Sequence, residues 1–445
     1  MRGAEWRAPP RPLKLPCMQP TDLPRPARPA GAPSPSPRHA PLGFAAFVGL
    51  IAGLMGLNAL ATDVMLPAFP LISGSFALQD PNEVQMVVSA YLLGFGGGQF
   101  VMGVLSDRYG RRPVLLTGLA VYFAAALWCV VAPNMTTMLI ARVIQGAGSA
   151  APRVIATAAI RDCYEGRRMA RVVSLVMMVF MAVPVLAPTL GQAVLFVADW
   201  RAVFGLLAVY SFVMFALCAA FLPETLRPEH RRAIRPYVIL AALRSLFGSR
   251  QTVGYMLAAG VFFGAMFGFI NSAQQVLVDV MGLGVWFPAV FALGAAGIAV
   301  SAFVNARLVE RLGMRLLSHT AVFLYLGISL LMAGFAEVGL LDAWVFVPLL
   351  SASMLLVGLV FSNFNALAME PQGHIAGIAS SVIGATTVLV GGLIGYAIGQ
   401  SFDGTATPMA LGFAGSGAAT VVILLVTERG RLFRSGRTEP GAAHR

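Results

Sequence analysis

One acidic residue, Asp63, lies well inside an apolar stretch long enough to cross a bilayer, and two arginines, Arg142 and Arg153, lie inside another. A charged carboxylate is costly in hydrocarbon and is relieved by taking up a proton, so a carboxyl in that setting can trade a proton between two states. The alternative is that Asp63 stands solvated or capping at the end of its helix, close to Pro67 and Pro70. Arg142 falls at a similar depth, so the two side chains can approach each other where their helices are neighbours. Such a pair serves either an exchange in which a ligand competes with Arg142 or with the proton, or a structural tie between two helices. Arg153 follows Arg142 by about three helical turns and so shares its face. It either adds positive potential to an internal cavity, favouring anionic or zwitterionic ligands, or snorkels towards the headgroups.

Uncharged polar groups stand at comparable depths. Asn58, Gln99 and Gln145 belong to the first half of the chain, and Asn271, Gln274, Gln275, Asn363 and Asn365 to the second. With Tyr91 and Phe95 they are candidates for lining a cavity. The competing role is hydrogen bonding between helices, worth about 0.6 kcal/mol each. The four cysteines, Cys17, Cys129, Cys163 and Cys218, show no metal-ligand spacing and read as small apolar residues. No nucleophile–base cluster, metal set or phosphate-binding loop is present, so neither an enzyme nor a cofactor is expected.

The elements that must position these groups follow from composition. Of 445 residues, 58% are hydrophobic and 11% charged, against about 25% charged in a soluble domain. A helix needs about 20 apolar residues to span a bilayer. Twelve such segments occur, over 44–70, 84–106, 114–132, 136–160, 171–195, 201–222, 252–275, 286–306, 317–335, 343–368, 375–400 and 408–426. The net charge of +12 does not point to nucleic acid, because the basic residues are dispersed among the gaps between spans. With both termini cytoplasmic, the segments on that side hold 28 of the 31 basic residues and the opposite loops hold Arg201 alone. This asymmetry predicts a multi-pass protein of the bacterial inner membrane.

The expected organisation is a disordered, proline-rich cytoplasmic tail over 1–42, a six-helix half over 43–223, a cytoplasmic linker over 224–251, a second six-helix half over 252–427 and a basic tail over 428–445. In the linker, Ile234–Phe247 reads as a helix lying on the membrane face.

The loop after the second span reads Gly103-Val-Leu-Ser-Asp107-Arg108-Tyr-Gly110-Arg111-Arg112, and that after the eighth reads Ala306-Arg-Leu-Val-Glu310-Arg311-Leu-Gly313-Met314-Arg315. Acid, arginine, glycine and final arginine coincide at a shift of 203 residues, which also carries the first span onto the seventh. Under it, Asp63 falls on Met266 and Arg142 on Val345, so only the first half keeps membrane-buried charge. Two six-helix halves repeated in parallel resemble the major facilitator superfamily, an all-α integral membrane fold. Gly103–Arg112 is similar to that superfamily's loop signature at every position, and Arg142-Val-Ile-Gln145-Gly146 to its fourth-helix signature.

Asp63–Pro70, Leu93-Gly94-Phe95, Ile160-Arg161-Asp162 and Ala376–Ser381 resemble the narrower bicyclomycin-resistance group of drug:proton antiporters. Around Pro184, Pro188 and Gly191 the fifth span resembles an antiporter motif, although Ala187 and Gln192 replace two of its glycines. Asn271–Gln275 departs from the stretch expected of the narrower group.

The resemblance implies a proton-coupled secondary transporter that exports small amphiphilic drugs or metabolites by alternating access, as in multidrug efflux and antibiotic resistance. Asp63 and Arg142 would couple it to protons. Gly103, Asp107, Arg108, Gly110, Arg111 and Arg112, with Glu310, Arg311, Gly313 and Arg315, would gate it, Asp107 facing the N-terminus of the eleventh span. Its partners would be the lipid bilayer, a small-molecule substrate and protons, with no metal, and the chain would be a monomer. An uptake or exchange carrier of the same fold, and a non-transporting membrane sensor, stand as alternatives.

Overall fold

In hydrocarbon every backbone donor and acceptor must find its partner within the protein, which leaves the helix as the form for these apolar segments. The computed structural model describes residues 42–433 apart from 228, 230 and 232–235. The expected N-terminal tail up to residue 41, the C-terminal tail from 434, and Ile234 and Arg235 of the linker lie outside the described residues.

Helix α1 (Phe44–Asp63) stops short of Pro67. A 3-10 turn over Leu66–Ala68 and α2 (Phe69–Ser75) carry the same span onward. The first half continues with α3 (Met86–Tyr109), α4 (Arg111–Val130), α5 (Met135–Cys163), α6 (Gly166–Leu195) and α7 (Arg201–Phe221). Helix α8 (Pro236–Gly248) occupies the linker. The second half comprises α9 (Arg250–Gln274), α10 (Phe287–Leu312), α11 (Met314–Glu337), α12 (Ala343–Met369), α13 (Ala376–Gln400) and α14 (Thr407–Thr427).

Among the described residues, eleven helical stretches are long and apolar enough to cross a membrane. Helix α5, 29 residues long, is the twelfth span. Its polar face keeps it out of that group by composition, and the same face makes it the centre of the first half. Asn134 caps its start, Oδ1 accepting from Thr137 N–H at 2.9 Å, which satisfies one of the orphan amides of the first turn.

In the first half α5 runs along α3 and α4, α1 along α6, and α4 along α7. In the second, α12 runs along α10 and α11, and α9 along α13 and α14. The halves meet where α3 lies on α13 and α6 lies on α10. The 203-residue shift carries α3 onto α10 and α6 onto α13, so the two seams exchange under the internal repeat.

The repeated loops confirm this symmetry at backbone level. Gly110 closes α3 and opens α4 with φ 105° and ψ 162°; Gly313 closes α10 and opens α11 with φ 80° and ψ 157°. Side chains are nearly excluded from that region, at a cost of about 1–3 kcal/mol. A Cβ at Gly110 would also lie 2.3 Å from Glu224 Oε2. Gly110→Ala is therefore expected to lower the melting temperature of the purified protein in detergent; an unchanged melting curve would show that the turn tolerates a side chain.

Candidate functional site

The α5 face that gives the helix its polarity carries Arg142, Gln145, Ser149 and Arg153, at spacings that keep them in one line. Opposite them α1 presents Ala61, Asn58 and Met55. Ser149 Oγ donates to Asn58 Oδ1 at 3.1 Å, and Asn58 Nδ2 donates to Ser149 O at 3.3 Å. Tyr91 of α3 closes the group, its hydroxyl donating to Asn58 Oδ1 at 2.8 Å while its ring stacks on Phe95. Asn58, Tyr91 and Phe95 are thus all buried on this seam.

Arg142 is fully buried and its guanidinium is shared three ways. Nε donates to Val87 O at 3.0 Å, Nη1 to Gln145 Oε1 at 2.6 Å and Nη2 to Ala61 O at 3.0 Å. The cation also lies 4.5 Å from the Tyr91 ring centroid. Burying an arginine within a span costs up to about 3 kcal/mol, and hydrogen bonds to a charged group return about 1.5–3 kcal/mol each. Three acceptors are enough to hold it without a carboxylate.

The expected approach of Arg142 to Asp63 therefore takes a different form. Among the described residues the two make no ion pair: Arg142 reaches the backbone two residues before Asp63, and the Asp63 carboxylate accepts from Thr62 Oγ1 at 2.8 Å. The reason is the break in α1. Because the helix ends at Asp63, the Ala61 carbonyl has no amide four residues on within the helix. It sits at the negative end of the helix dipole, where a cation is favoured. Asp63 itself is 3% exposed, so the alternative of a solvated cap does not describe it.

Helix α6 braces this break. A Cβ at Gly191 would lie 1.9 Å from Val64 O, so only glycine lets α6 pass directly behind Asp63. Pro184 and Pro188 lie within the same helix, which is continuous over Gly166–Leu195.

The end of the bundle that carries the repeated loops is held by charge. Arg111 pairs with Asp107 at 2.6 Å and with Asp162 at 3.1 Å, and Nη1 also donates to Ser106 Oγ at 2.8 Å. Glu224 caps α4, accepting from Arg111 N–H at 2.8 Å and Arg112 N–H at 3.3 Å, while Arg112 Nη2 donates to Ala219 O at 2.7 Å. A Cβ at Gly377 would lie 3.9 Å from Asp107 Oδ2, which places that carboxylate at the first turn of α13. Gly103 lets α3 approach the same helix at Ser381. Arg108 is exposed.

The second loop is wired differently. Glu310, expected to mirror Asp107, is exposed and makes no ion pair among the described residues, because Met314 stands where Arg111 stands in the first loop. Arg311 is exposed too. Arg315 turns instead to Glu428 at 3.1 Å and Glu370 at 3.5 Å. Burial pushes the Glu428 carboxyl up, but hydrogen bonds from Tyr255 and Arg315 outweigh it and hold the group below the usual range.

The far end of the bundle closes without charge. Gln275, expected as a cavity residue, donates to Asn82 Oδ1 at 3.0 Å and to Pro81 O at 3.3 Å, and accepts from Gln85. Asn82 Nδ2 donates to Phe402 O at 2.9 Å, and Gln400 Nε2 returns a bond to Asn82 O at 2.8 Å. Four amide side chains thus clamp the first half to the second. Asn82, Gln85 and Gln400 were not legible as functional, since each stands at a span boundary where polar residues are ordinary.

The remaining cavity candidates divide. Asn271 reaches across to Ser89 Oγ at 3.4 Å, with its Oδ1 unbonded in a fully buried position. Gln99 is buried against Gly384 of α13, its Nε2 likewise unbonded. Gln274 is buried on α9. Asn363 and Asn365 bond to carbonyls of their own helix, at Leu359 and Phe361, and Asn363 also donates to Asn305 Oδ1 at 2.6 Å. Asn363 thus ties α12 to α10, while Asn365 bonds within α12 alone.

Residues 51–396 match the model of the Major Facilitator Superfamily. The chain is 30% identical over 378 residues to an uncharacterized MFS-type transporter of Bacillus subtilis, covering 83% of this chain and 91% of that protein. It is 27% identical over 369 residues to a bicyclomycin resistance protein homolog of Haemophilus influenzae, covering 82% and 91%. Among solved structures, a peptide transporter in complex with sulfate superposes with a TM-score of 0.68 at 15% identity, over 88% of this chain and 96% of the other, a likeness of fold alone. Twelve spans in two repeated halves, the wired loop after the second span and these matches together place the chain in the major facilitator superfamily.

Proposed function

We propose that the chain is a proton-coupled exporter of small amphiphilic compounds that works by alternating access. The observation that carries this reading is Asp63: a buried carboxyl at a break in α1, beside an arginine whose hydrogen bonds are spent elsewhere. A carboxyl that is not locked in an ion pair is free to gain and lose a proton as access to it changes sides. The direction of transport is supported by the likeness to the bicyclomycin resistance protein homolog.

In this reading the basic loops face the cytoplasm, in keeping with the bias of arginine towards that side. The amide clamp of Asn82, Gln85, Gln275 and Gln400, whose hydrogen bonds are all made here, serves as the external gate. The charged ties around Arg111 hold the first half rigid at the internal end. When the clamp opens, an external proton reaches Asp63 and cargo leaves; when it closes, the proton is released inside and new cargo enters. Both termini then lie in the cytoplasm, and the membrane is the inner one.

Asp63→Asn keeps the side-chain shape and its hydrogen bond but removes the exchangeable proton. It is expected to abolish efflux driven by a pH gradient in everted vesicles while leaving the amount of folded protein unchanged; full gradient-driven efflux by this variant would contradict the coupling role.

The clamp yields a separate expectation. Each lost amide hydrogen bond is worth about 0.5–1.5 kcal/mol, and replacing Asn82 and Gln275 together removes the bonds to Gln85, Pro81 and Phe402 as well as the one between them, so the open–closed balance shifts by about tenfold or more. Asn82→Ala with Gln275→Ala should therefore speed labelling of Ser272→Cys by a membrane-impermeant maleimide added from the outside. Labelling no faster than in the parent with an intact clamp would show that these amides do not set the gate.

A further inference from the structure

Arg153 differs from the two buried arginines of the first half, Arg142 and Arg111. Arg142 has three oxygen acceptors, and Arg111 has two carboxylates and a hydroxyl. Arg153 lies on the same face of α5, about 16 Å further along the seam. Its guanidinium has Met55 Sδ at 3.7 Å and the Phe180 ring at 5.9 Å, and no carboxylate partner among the described residues. A thioether is a weak acceptor, and among the described residues the guanidinium, partly exposed, has no oxygen acceptor.

Snorkelling does not account for it. Its neighbours belong to α1 and α6, so the group points between helices rather than outward. A cation kept in that position without a counter-charge is costly, and a planar fork of donors matches a carboxylate or sulfonate two bonds at a time. The surfaces beside it are Met55 and Phe180, a thioether and an aromatic ring that suit an apolar body.

We propose that Arg153 is the subsite for the anionic group of an amphiphilic cargo, with Met55 and Phe180 receiving its apolar part. This rests on the reading of the chain as a carrier. It is distinct from the proposed proton site, since Arg142 lies about three turns away along α5 and Asp63 about two turns from Met55 along α1. A lipid phosphate carries the same charge, and the proposal assigns the guanidinium to cargo rather than to lipid.

The test compares two xanthene dyes, anionic fluorescein and cationic rhodamine 6G, by fluorescence anisotropy on the purified full chain in nanodiscs of phosphatidylcholine. Arg153→Gln is expected to weaken fluorescein binding by about tenfold or more, the scale of a lost charge-assisted hydrogen bond, and to leave rhodamine 6G binding unchanged. Met55→Glu, which supplies an internal counter-charge while keeping Arg153, is expected to cause the same selective loss. Adding phosphatidylglycerol is expected to leave fluorescein binding as it was.

The proposal is overturned if the parent protein does not bind fluorescein, if both dyes weaken together in either variant, if neither variant changes fluorescein binding, or if phosphatidylglycerol displaces the dye. The measurement is at equilibrium and without a gradient. Failure of proton-driven transport would therefore leave it standing, and its own failure would leave the exporter reading untouched.

Discussion

The early end of α1 is the constraint on which the first half depends. A helix that ends while buried among its neighbours leaves carbonyls with no amide to receive. Here the Ala61 carbonyl is met by Arg142, which reaches in from α5 and takes a second carbonyl, Val87 O, from α3. One guanidinium therefore joins three helices at the level where the chain is broken. Gly191 allows α6 to close the remaining side at Val64 O. Asp63 is left at the break, shielded from solvent, with a hydroxyl as its partner rather than a cation.

This arrangement separates two tasks that an ion pair would have merged. Arg142 is held by three neutral oxygens rather than by the Asp63 carboxylate, so its bonds do not call for that carboxylate to be charged. The same division appears at the two ends of the bundle. The loop end is tied by carboxylates and arginines within the first half, and by Arg315 with Glu428 and Glu370 within the second. The far end joins the halves to each other through amides alone. Neutral amide bonds of modest individual worth would suit a contact that breaks in each turn of the proposed cycle.

Much of the fold was legible in the sequence, because lipid makes span length and basic-loop bias direct physical readouts. The repeated loop was legible as well, since Gly110 and Gly313 must both adopt backbone that excludes side chains. What escaped was the wiring. Asp63 and Arg142 share a depth, but depth does not reveal that the helix ends at Asp63 and offers a carbonyl in its place. Glu310 matches Asp107 by register, yet Met314 removes the partner that would have used it. Gln275 reads as a polar residue in a cavity; only the positions of Asn82 and Gln400, hundreds of residues apart in the chain, reveal it as part of a clamp.

The central claim is that Asp63 changes its protonation while Arg142 remains bound to the broken helix. Infrared difference spectroscopy across a pH step, on the purified chain in lipid, reads this directly through the carbonyl stretch of a protonated carboxyl. The account predicts a carboxyl band in the parent protein that is missing from Asp63→Asn, with the remaining spectrum unaltered. An identical band in both proteins would place the titrating carboxyl elsewhere and contradict it.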